Sequence, residues 1–577
     1  MSQPRRGHSL AFAGEVARWS ARYTCYLGYT DEPRPRARGL SPTVLNGIPR
    51  LSGRITALAS WLAGHQWTCF FGILALEVIL RCSLLAGTGL PRPSYHDEFS
   101  YLLASDTYAA GRLANPPLSH AEFFEAEYVL LAPTYASKYQ PGQGLFLAFG
   151  QRVFGHPFFG VLFSVALGSA TLYWALLAWT PPAWAIAAGL AVIGVFGLVS
   201  YWIDSYWGGG VAFLGTALAL GSWGRIRLQS RYRFGALLAL GSALLLLTRP
   251  FESSLLLLVL FLTAFASALS RKGGRPPFAS RRGLFTLFAY AAPVLALYAG
   301  FQLYFNYRVT GSALRLPYLE YARQYDVISQ VRYVPIDSQK PAANQRVSEL
   351  HNLFEVDAHN KALRRGFWDD TQLILERSSP GLVLLTLFLA ILACLGDSET
   401  RVLLALLVLP ALPLYFETFV TPHYLAPFLA CLILLLFQSL SSLFAQADWL
   451  GRGRYALVAV CLLFGVGYLF HWKQTVLRKL AAETYAQRQR RSIGKQLDEL
   501  PGRQLVFVKY SPDYSIHDEW VYNRADLESA KVIFAHDLST ERDQSLLAEY
   551  PGRQAWRLSL SPAEATLAPL TASANQE

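Results

Sequence analysis

Three ionisable residues directly follow the first long apolar segment of the chain. His96, Asp97 and Glu98 precede the stretch FSYLLA, which contains Tyr101 and has the amphipathic pattern of a helix that could lie at a membrane interface. Asp97 and Glu98 would occupy the first turn of that helix, where the helix dipole stabilises anions. A carboxylate held there could act as a base toward an acceptor hydroxyl, or bind a divalent cation such as Mg²⁺ or Mn²⁺. Solvated loop charges are the alternative interpretation.

A basic residue ends the same loop. Lys138 and Tyr139 stand just before Gln140-Pro141-Gly142, and a new apolar run begins there. A carboxylate at one end of an outer loop and an ammonium at the other suggest one chemistry, in which the carboxylate receives an acceptor while the cation holds a lipid-linked phosphate. The sequence contains neither a GxxxxGK[ST] loop nor a strand-linked GxGxxG motif, which argues against a nucleotide as the donor.

The elements that must position these residues are membrane helices. Of the 577 residues, 53% are hydrophobic and 16% charged, whereas a soluble chain is about a quarter charged. Apolar runs of about 17–25 residues recur along the chain, as in polytopic membrane proteins. We therefore predict an α-helical polytopic fold with about eleven spans. They are 66–90, 158–180, 183–200, 208–224, 234–248, 254–270, 284–305, 380–396, 402–416, 425–446 and 455–471.

Arginine placement predicts how these spans are oriented. The strongest arginine clusters between spans all fall on one side, which is the positive-inside pattern. Residues 1–65 then form a basic cytoplasmic arm before the membrane domain 66–472, and the loops 91–157 and 306–378 lie outside. Residues 473–577 carry short β-like runs separated by helical stretches, which predicts a small α/β domain, also outside. We expect a bacterial cytoplasmic (inner) membrane protein with a cytoplasmic N-terminus.

Charge and cysteine usage exclude other classes. The net charge of +12 arises mainly from arginines that set topology, so nucleic acid is not an expected partner. The six cysteines show no CxxC spacing and are absent from the predicted outer loops, so neither a disulfide framework nor a thiolate metal site is indicated. Glu77 and Arg81 lie one helical turn apart in the first span, which predicts an intramembrane ion pair.

These motifs resemble those of the GT-C membrane glycosyltransferases. The acidic pair after the first span, and the stretch SKYQPGQGLF that places a basic residue before Pro-Gly, are similar to elements of the protein O-mannosyltransferases and the lipid A aminoarabinose transferases. In this chain Gln140-Pro141-Gly142 stands where the family often has a double proline. The resemblance implies that Asp97, with Glu98, is the catalytic or acceptor-side carboxylate. It implies that Lys138 binds the donor lipid phosphate, with His96, Tyr101 and Tyr139 nearby.

Other predicted outer-face residues fit the same site. Asp204 lies in a Tyr/Trp-rich turn where this family often carries a second acidic residue, although an aromatic-belt turn is the alternative. Arg249 could bind phosphate or extend toward lipid headgroups. His423 and Tyr424 resemble the basic residue–Tyr–x–x–Pro element before a late span, although an isolated His at a membrane boundary is often structural. A second His-Asp-Glu, at residues 517–519, is interpreted as a coincidence.

The expected function is therefore transfer of a sugar from a polyprenyl-phosphate donor to a protein, lipid or polysaccharide acceptor, by a single inverting displacement. Two other classes are possible. A flippase-like lipid or solute transporter would require polar or broken helices near mid-membrane, ideally in an internal repeat, and no clear repeat is visible. A non-catalytic assembly or sensor protein would use the C-terminal domain for binding.

Overall fold

The structure, a computed structural model, describes residues 61, 64–269, 281–337, 340, 344–445, 474 and 485–570. Nearly all of the predicted basic arm and the predicted span 455–471 lie outside these residues. Most of the described chain is helical. The helices of its first part are α1 (Gln66–Thr88), α2 (His96–Ala109), α3 (Pro141–Phe154), α4 (Phe158–Leu176), α5 (Pro182–Val192), α6 (Gly209–Gln229), α7 (Gly235–Leu246), α8 (Pro250–Leu269) and α9 (Arg281–Thr310).

The remaining elements form the segment 306–378, which is the predicted long outer loop, three further apolar helices, a short β1–β2 pair and a C-terminal region with a sheet. The helices are α10 (Pro317–Gln324), α11 (Gln345–Glu349), α12 (Glu355–Arg364), α13 (Phe367–Arg377), α14 (Pro380–Cys394), α15 (Ser398–Ala411), α16 (Ala426–Ala445), α17 (Tyr485–Glu499) and α18 (Thr540–Glu549). The strands are β1 (Val129–Leu130), β2 (Ala136–Ser137), β3 (Arg503–Tyr510), β4 (Val532–His536), β5 (Arg553–Leu560) and β6 (Ala565–Pro569).

The helical class predicted from the sequence is confirmed, but the predicted number of spans is not. In the described residues, five helices are long and apolar enough to cross a membrane, or six if α13 and α14, bent by 108°, are one span. Three predicted spans correspond to shorter apolar helices, Pro182–Gly197, Tyr232–Leu246 and Pro250–Phe265. An apolar run by itself does not fix where a helix ends, because a break inside the run leaves the composition unchanged.

The segment 91–157, which is the predicted first outer loop, contains a helix and a short hairpin. Strand β1 pairs antiparallel with β2, and α2 packs against α3 and β2. Helix α3 begins with Pro141, whose fixed φ suits a first helical turn, and ends at Gly155, which has the left-handed φ of 79° that glycine tolerates. Lys138 and Tyr139 therefore lie in a three-residue connection, completed by Gln140, that is fixed by a strand before it and a helix after it.

The C-terminal sheet has the order β4-β3-β5-β6, with β3 parallel to both neighbours and β5 antiparallel to β6. The central strand β3 is buried along most of its length, as in parallel sheets covered on both faces. On one face Leu505 and Phe507 share a core with Phe123, Phe124 and Leu131 of the first outer loop. The sheet is therefore part of the same hydrophobic core as the loop that carries Asp97 and Lys138.

A buried ion pair joins the long outer loop to the C-terminal region. Arg346 of α11 donates from Nε to Glu519 Oε2 at 3.1 Å and from Nη2 to the Ser515 carbonyl at 2.6 Å. Glu519 also accepts a hydrogen bond from the Tyr510 hydroxyl and two from the backbone amides of Trp520 and Val521. Glu519, at 2% exposure, is thus the shared acceptor that holds the segments together.

We predict that Arg346→Ala lowers the free energy of unfolding by about 3–5 kcal/mol, because it leaves the Glu519 carboxylate buried without its cation. Urea unfolding of the protein in detergent, followed by tryptophan fluorescence, measures the change. The control is Arg364→Ala, since Arg364 is exposed on α12 and such substitutions stay within about 0.5 kcal/mol. Equal losses in the two variants would show that the pair does not join these segments.

Candidate active site

The three side chains of the His-Asp-Glu motif point to three different partners. Glu98 accepts backbone hydrogen bonds from Ser94 at 2.8 Å and Tyr95 at 3.3 Å, and its second oxygen accepts one from Tyr206 at 3.0 Å. These bonds fix the start of α2 and tie it to the loop before α6. Although the sequence suggests a catalytic role for Glu98 beside Asp97, this geometry supports a positioning role.

His96 faces the C-terminal region. Its Nδ1 lies 2.8 Å from the Tyr522 hydroxyl and 3.4 Å from Glu127 Oε2, and its ring lies 5.8 Å from the ring of His517. Tyr522 also stacks on Phe99 with ring centroids 4.3 Å apart. The motif at 517–519, interpreted from the sequence as a coincidence, therefore contacts the first one. This contact joins two segments that lie far apart in the sequence.

Asp97 contacts the residue that follows Lys138. Its Oδ1 accepts a hydrogen bond from the Tyr139 hydroxyl, and the Tyr139 ring stacks on Tyr101 with centroids 4.4 Å apart. Ser100, one turn further along α2, bonds Ser137 Oγ at 2.7 Å. The two ends of the predicted loop site, the acidic and the basic one, are therefore brought together. Burial raises the pKa of Asp97, against the opposing effects of the Tyr139 hydrogen bond and the charges of Lys138 and Arg249.

Lys138 is enclosed by aromatic rings. Its Nζ lies 3.5 Å from the ring centre of Tyr128, 4.7 Å from Tyr321, 4.9 Å from Tyr318 and 5.5 Å from Tyr139. We call these four residues the tyrosine cage. Lys138 is 4% exposed, and its ammonium makes no hydrogen bond or salt bridge to another described residue.

The electrostatics of Lys138 follow from this environment. Burial lowers the pKa of Lys138, and the carboxylates of Asp326, Asp97 and Glu355 oppose that shift. Cation–π contacts stabilise an ammonium without using its hydrogen-bond donors. The three N–H groups of Lys138 therefore remain available to an anionic ligand.

Arg249 supplies a second cation near Asp97. It stands at the start of α8, is 8% exposed, and its guanidinium lies 5.7 Å from the Tyr424 ring centre. Its Nε is buried without a hydrogen-bond partner, and no other hydrogen bond from the guanidinium to a described residue is present. Lys138 and Arg249, which both have unused hydrogen-bond donors, thus both act electrostatically on the Asp97 carboxylate.

The turn before α16 brings His423 and Tyr424 to the same region. His423 Nδ1 lies 2.8 Å from the Tyr201 hydroxyl and its Nε2 lies 2.9 Å from Thr421 Oγ1, so both ring nitrogens are occupied. The Tyr424 hydroxyl donates to Gln330 at 3.2 Å. In this arrangement Tyr424 supports Arg249, while His423 holds the turn in place.

Asp204 contacts the first apolar helix. It forms a salt bridge at 2.7 Å with Arg81 of α1 and accepts a hydrogen bond from the Ser200 amide at 3.0 Å. The ion pair predicted between Glu77 and Arg81 is therefore wrong. Arg81 instead extends to the loop after α5. Its guanidinium bonds both the Asp204 carboxylate and the Leu198 carbonyl there.

A possible metal-binding group lies beside the tyrosine cage. One ligand atom each from Asp326, His351 and Glu355 lies within 4.8 Å of the others. His351 Nδ1 is 2.9 Å from Glu355 and its Nε2 is 3.0 Å from the Tyr321 hydroxyl. Neither this group nor the cage residues Tyr128, Tyr318 and Tyr321 were predicted from the sequence to be part of the site. The only sequence signal was the i, i+4 spacing of His351 and Glu355, which by itself is common on any helix.

Comparison with known proteins gives structural likenesses at low identity. No protein-family model and no curated protein matches this sequence. ArnT from Cupriavidus metallidurans in the apo state matches with a TM-score of 0.43 and 12% identity over 87% of this chain and 94% of that one. The oligosaccharyltransferase AglB from Archaeoglobus fulgidus, in complex with an inhibitory peptide and a dolichol-phosphate, matches with 0.42 and 12% over 86% of this chain and 70% of that one.

A second structure of the Archaeoglobus oligosaccharyltransferase, tethered to an acceptor peptide, matches with a TM-score of 0.42 and 12% identity over 85% of this chain and 69% of that one. All three matches have TM-scores below 0.5 and identities of 12%. At TM-scores below 0.5 they add nothing about the chemistry of this chain, which has to be inferred from its own residues.

We predict that the purified protein binds one divalent transition-metal ion at Asp326, His351 and Glu355. One imidazole and two carboxylates suit Mn²⁺ or Zn²⁺ better than Mg²⁺, which prefers oxygen ligands. Titration with Mn²⁺, followed by electron paramagnetic resonance of the free ion, should show affinity on the order of a hundredfold weaker in His351→Ala. Asp357→Asn, an exposed carboxylate on α12, the helix that carries Glu355, is the control. Equal affinity of His351→Ala and the unaltered protein would exclude this site.

Proposed function

We propose that this chain is a glycosyltransferase that transfers a sugar from a polyprenyl-phosphate donor to an acceptor hydroxyl at the outer face of the bacterial cytoplasmic membrane. The observation that supports it most is the Lys138 ammonium, buried in the tyrosine cage with its N–H donors unused and its charge acting on Asp97. An anion with several oxygens, such as the phosphate of the donor, suits two such cations. The acceptor would be a protein, lipid or polysaccharide.

The proposed reaction is a single displacement with inversion. Asp97 accepts the proton of the acceptor hydroxyl. At the same time the hydroxyl oxygen forms a bond to the anomeric carbon of the sugar, and the bond from that carbon to the phosphate oxygen breaks. The electron pair of the broken bond leaves with the polyprenyl phosphate. Lys138 and Arg249 stabilise the charge that grows on the phosphate, which is electrostatic stabilisation of the transition state.

The surroundings of Asp97 support its proposed role as the base. Burial moves the pKa of Asp97 upward, toward the range in which a carboxylate is an effective base. The Tyr139 hydroxyl orients the Asp97 oxygen that it bonds. A divalent ion at Asp326, His351 and Glu355 would add positive charge beside Lys138.

We place the N-terminus in the cytoplasm and the C-terminal domain outside. The boundary between the membrane domain and the C-terminal domain lies near residue 473.

We expect Asp97→Asn and Lys138→Ala each to lower transfer about a hundredfold or more, the usual effect of removing one such electrostatic contact. Membranes containing the protein would be supplied with a panel of polyprenyl-phosphate-linked sugars, and the released polyprenyl phosphate would be quantified by mass spectrometry. Asp357→Asn and Lys361→Ala, an exposed pair of the same residue types on α12, are matched controls. Full activity in both site variants would refute the proposed roles.

The pH dependence of kcat/KM should be a narrow bell. Asp97 must be ionised, and because its pKa is raised, activity is lost on the acid side above the ordinary aspartate value of about 3.9. Lys138 must be protonated, and because its pKa is lowered, activity is lost on the alkaline side below the ordinary lysine value of about 10.4.

Lys138→Arg should move the alkaline limb to higher pH and leave the acid limb in place, because a guanidinium stays protonated throughout. An alkaline limb that does not move in this variant would show that another group controls it.

A further inference from the structure

Three side-chain amides form a hydrogen-bonded chain between α9 and the residue before α3. Asn306 Nδ2 donates to the Ala313 carbonyl at 2.9 Å. Because a carbonyl oxygen can only accept, this bond fixes the orientation of the Asn306 amide and leaves its Oδ1 to accept from Gln302. Gln302 Nε2 donates to that oxygen at 2.7 Å and to Gln140 Oε1 at 3.0 Å. Both N–H groups of Gln302 are therefore used, and the orientation of each amide follows from the one before it.

Two atoms of this chain of amides remain unused. Gln140 Nε2, a donor, and Gln302 Oε1, an acceptor, are buried and make no hydrogen bond to any residue that the structure describes. Their residues are 5% and 9% exposed, and a buried polar group without a partner is destabilising. The bond between the two amides keeps the unused donor close to the unused acceptor. Such a pair suits a ligand group that both accepts and donates a hydrogen bond.

Gln140 lies beside the proposed reaction site. It directly follows Tyr139, whose hydroxyl bonds Asp97, and its Cα is at most about 7 Å from that of Lys138 along the chain. In a polyprenyl-phosphate donor the sugar is attached directly to the phosphate. The sugar of a donor whose phosphate is bound at Lys138 would therefore be within reach of Gln140.

The surroundings of the two amides place them in the same region. On α9, Phe305 shares a hydrophobic core with Tyr321 of the tyrosine cage. In the first turn of α3, Gln143 donates to the Tyr206 carbonyl at 3.0 Å, and its Oε1 is a further buried acceptor without a partner in the described part of the chain. Unused polar atoms are thus grouped at the start of α3.

We propose that Gln140 and Gln302 form the subsite that recognises the sugar of the donor. A hydroxyl or acetamido group of the sugar accepts a hydrogen bond from Gln140 Nε2 and donates one to Gln302 Oε1, so both buried atoms gain a partner when the sugar is bound. The ligand class rests on the proposed function, which supplies a polyprenyl-phosphate-linked sugar. The two glutamines bind and orient this sugar, while Lys138 binds the phosphate that every such donor shares.

The test measures donor retention by native mass spectrometry of the full-length protein in detergent, without an acceptor. The probes are polyprenyl-phosphate-linked glucose, galactose, mannose and N-acetylglucosamine, and bare polyprenyl phosphate is the reference. We expect at least one sugar-linked probe to bind at least tenfold more tightly than the reference. Gln140→Leu and Gln302→Leu should each reduce that preference about tenfold, as expected for the loss of one hydrogen bond whose partner stays buried. Binding of the reference should not change in either variant.

Two further variants separate recognition of the sugar from recognition of the phosphate. Gln372→Leu, at an exposed glutamine of α13, should keep the preference of the unaltered protein. Lys138→Ala should weaken binding of every probe, the reference included, because it removes the contact to the phosphate.

The subsite would be overturned if the unaltered protein preferred no sugar, or if neither glutamine variant changed its preference, since a buried water would then suffice for both atoms. Equal losses of the sugar-linked probes and the reference in both variants would show that the amides only support the fold. Retention of none of the probes would refute the proposed donor and, with it, the ligand of the subsite. Because Gln140 and Gln302 come from different segments, a folding defect in one variant leaves the other as a valid test.

Discussion

The burial of one ammonium group governs the arrangement of the loops around the proposed site. Moving a charged amine out of water costs several kcal/mol unless other groups compensate for the loss. For Lys138 the compensation comes from four tyrosine rings and from carboxylates at a greater distance. Each cation–π contact contributes about 0.5–2 kcal/mol, so the ammonium is held in position while its N–H groups stay free.

The cage draws on three separate parts of the chain, and this explains why the loops fold together. Tyr128 comes from the hairpin of the first outer loop and Tyr139 from the connection after it, whereas Tyr318 and Tyr321 come from α10 in the long outer loop. The Tyr321 hydroxyl also accepts a hydrogen bond from the Tyr128 amide at 2.9 Å, at a residue whose φ is positive. That bond supports a backbone conformation that is uncommon outside glycine.

The sequence was informative where chemistry and local structure coincide. Asp97 at a helix start and Lys138 before a proline were predicted to share a site, because both signals are local and both belong to one predicted loop, 91–157. Contacts between distant segments could not be predicted. The tyrosines of α10 stand almost two hundred residues after Tyr128, and Arg81 finds its partner in Asp204 rather than in Glu77, one turn away. The number of spans also depends on breaks that an apolar run does not reveal.

The late position of strand β3 in the chain affects the order in which the protein can fold. One of its faces completes the hydrophobic core of the first outer loop, yet β3 follows that loop by several hundred residues in the chain. During synthesis apolar side chains of the loop such as Phe123 and Phe124 therefore lack this part of their core until β3 has been translated. Completion of this core thus depends on a segment translated long after the loop itself, and a chain that stops before β3 leaves the proposed site without that support.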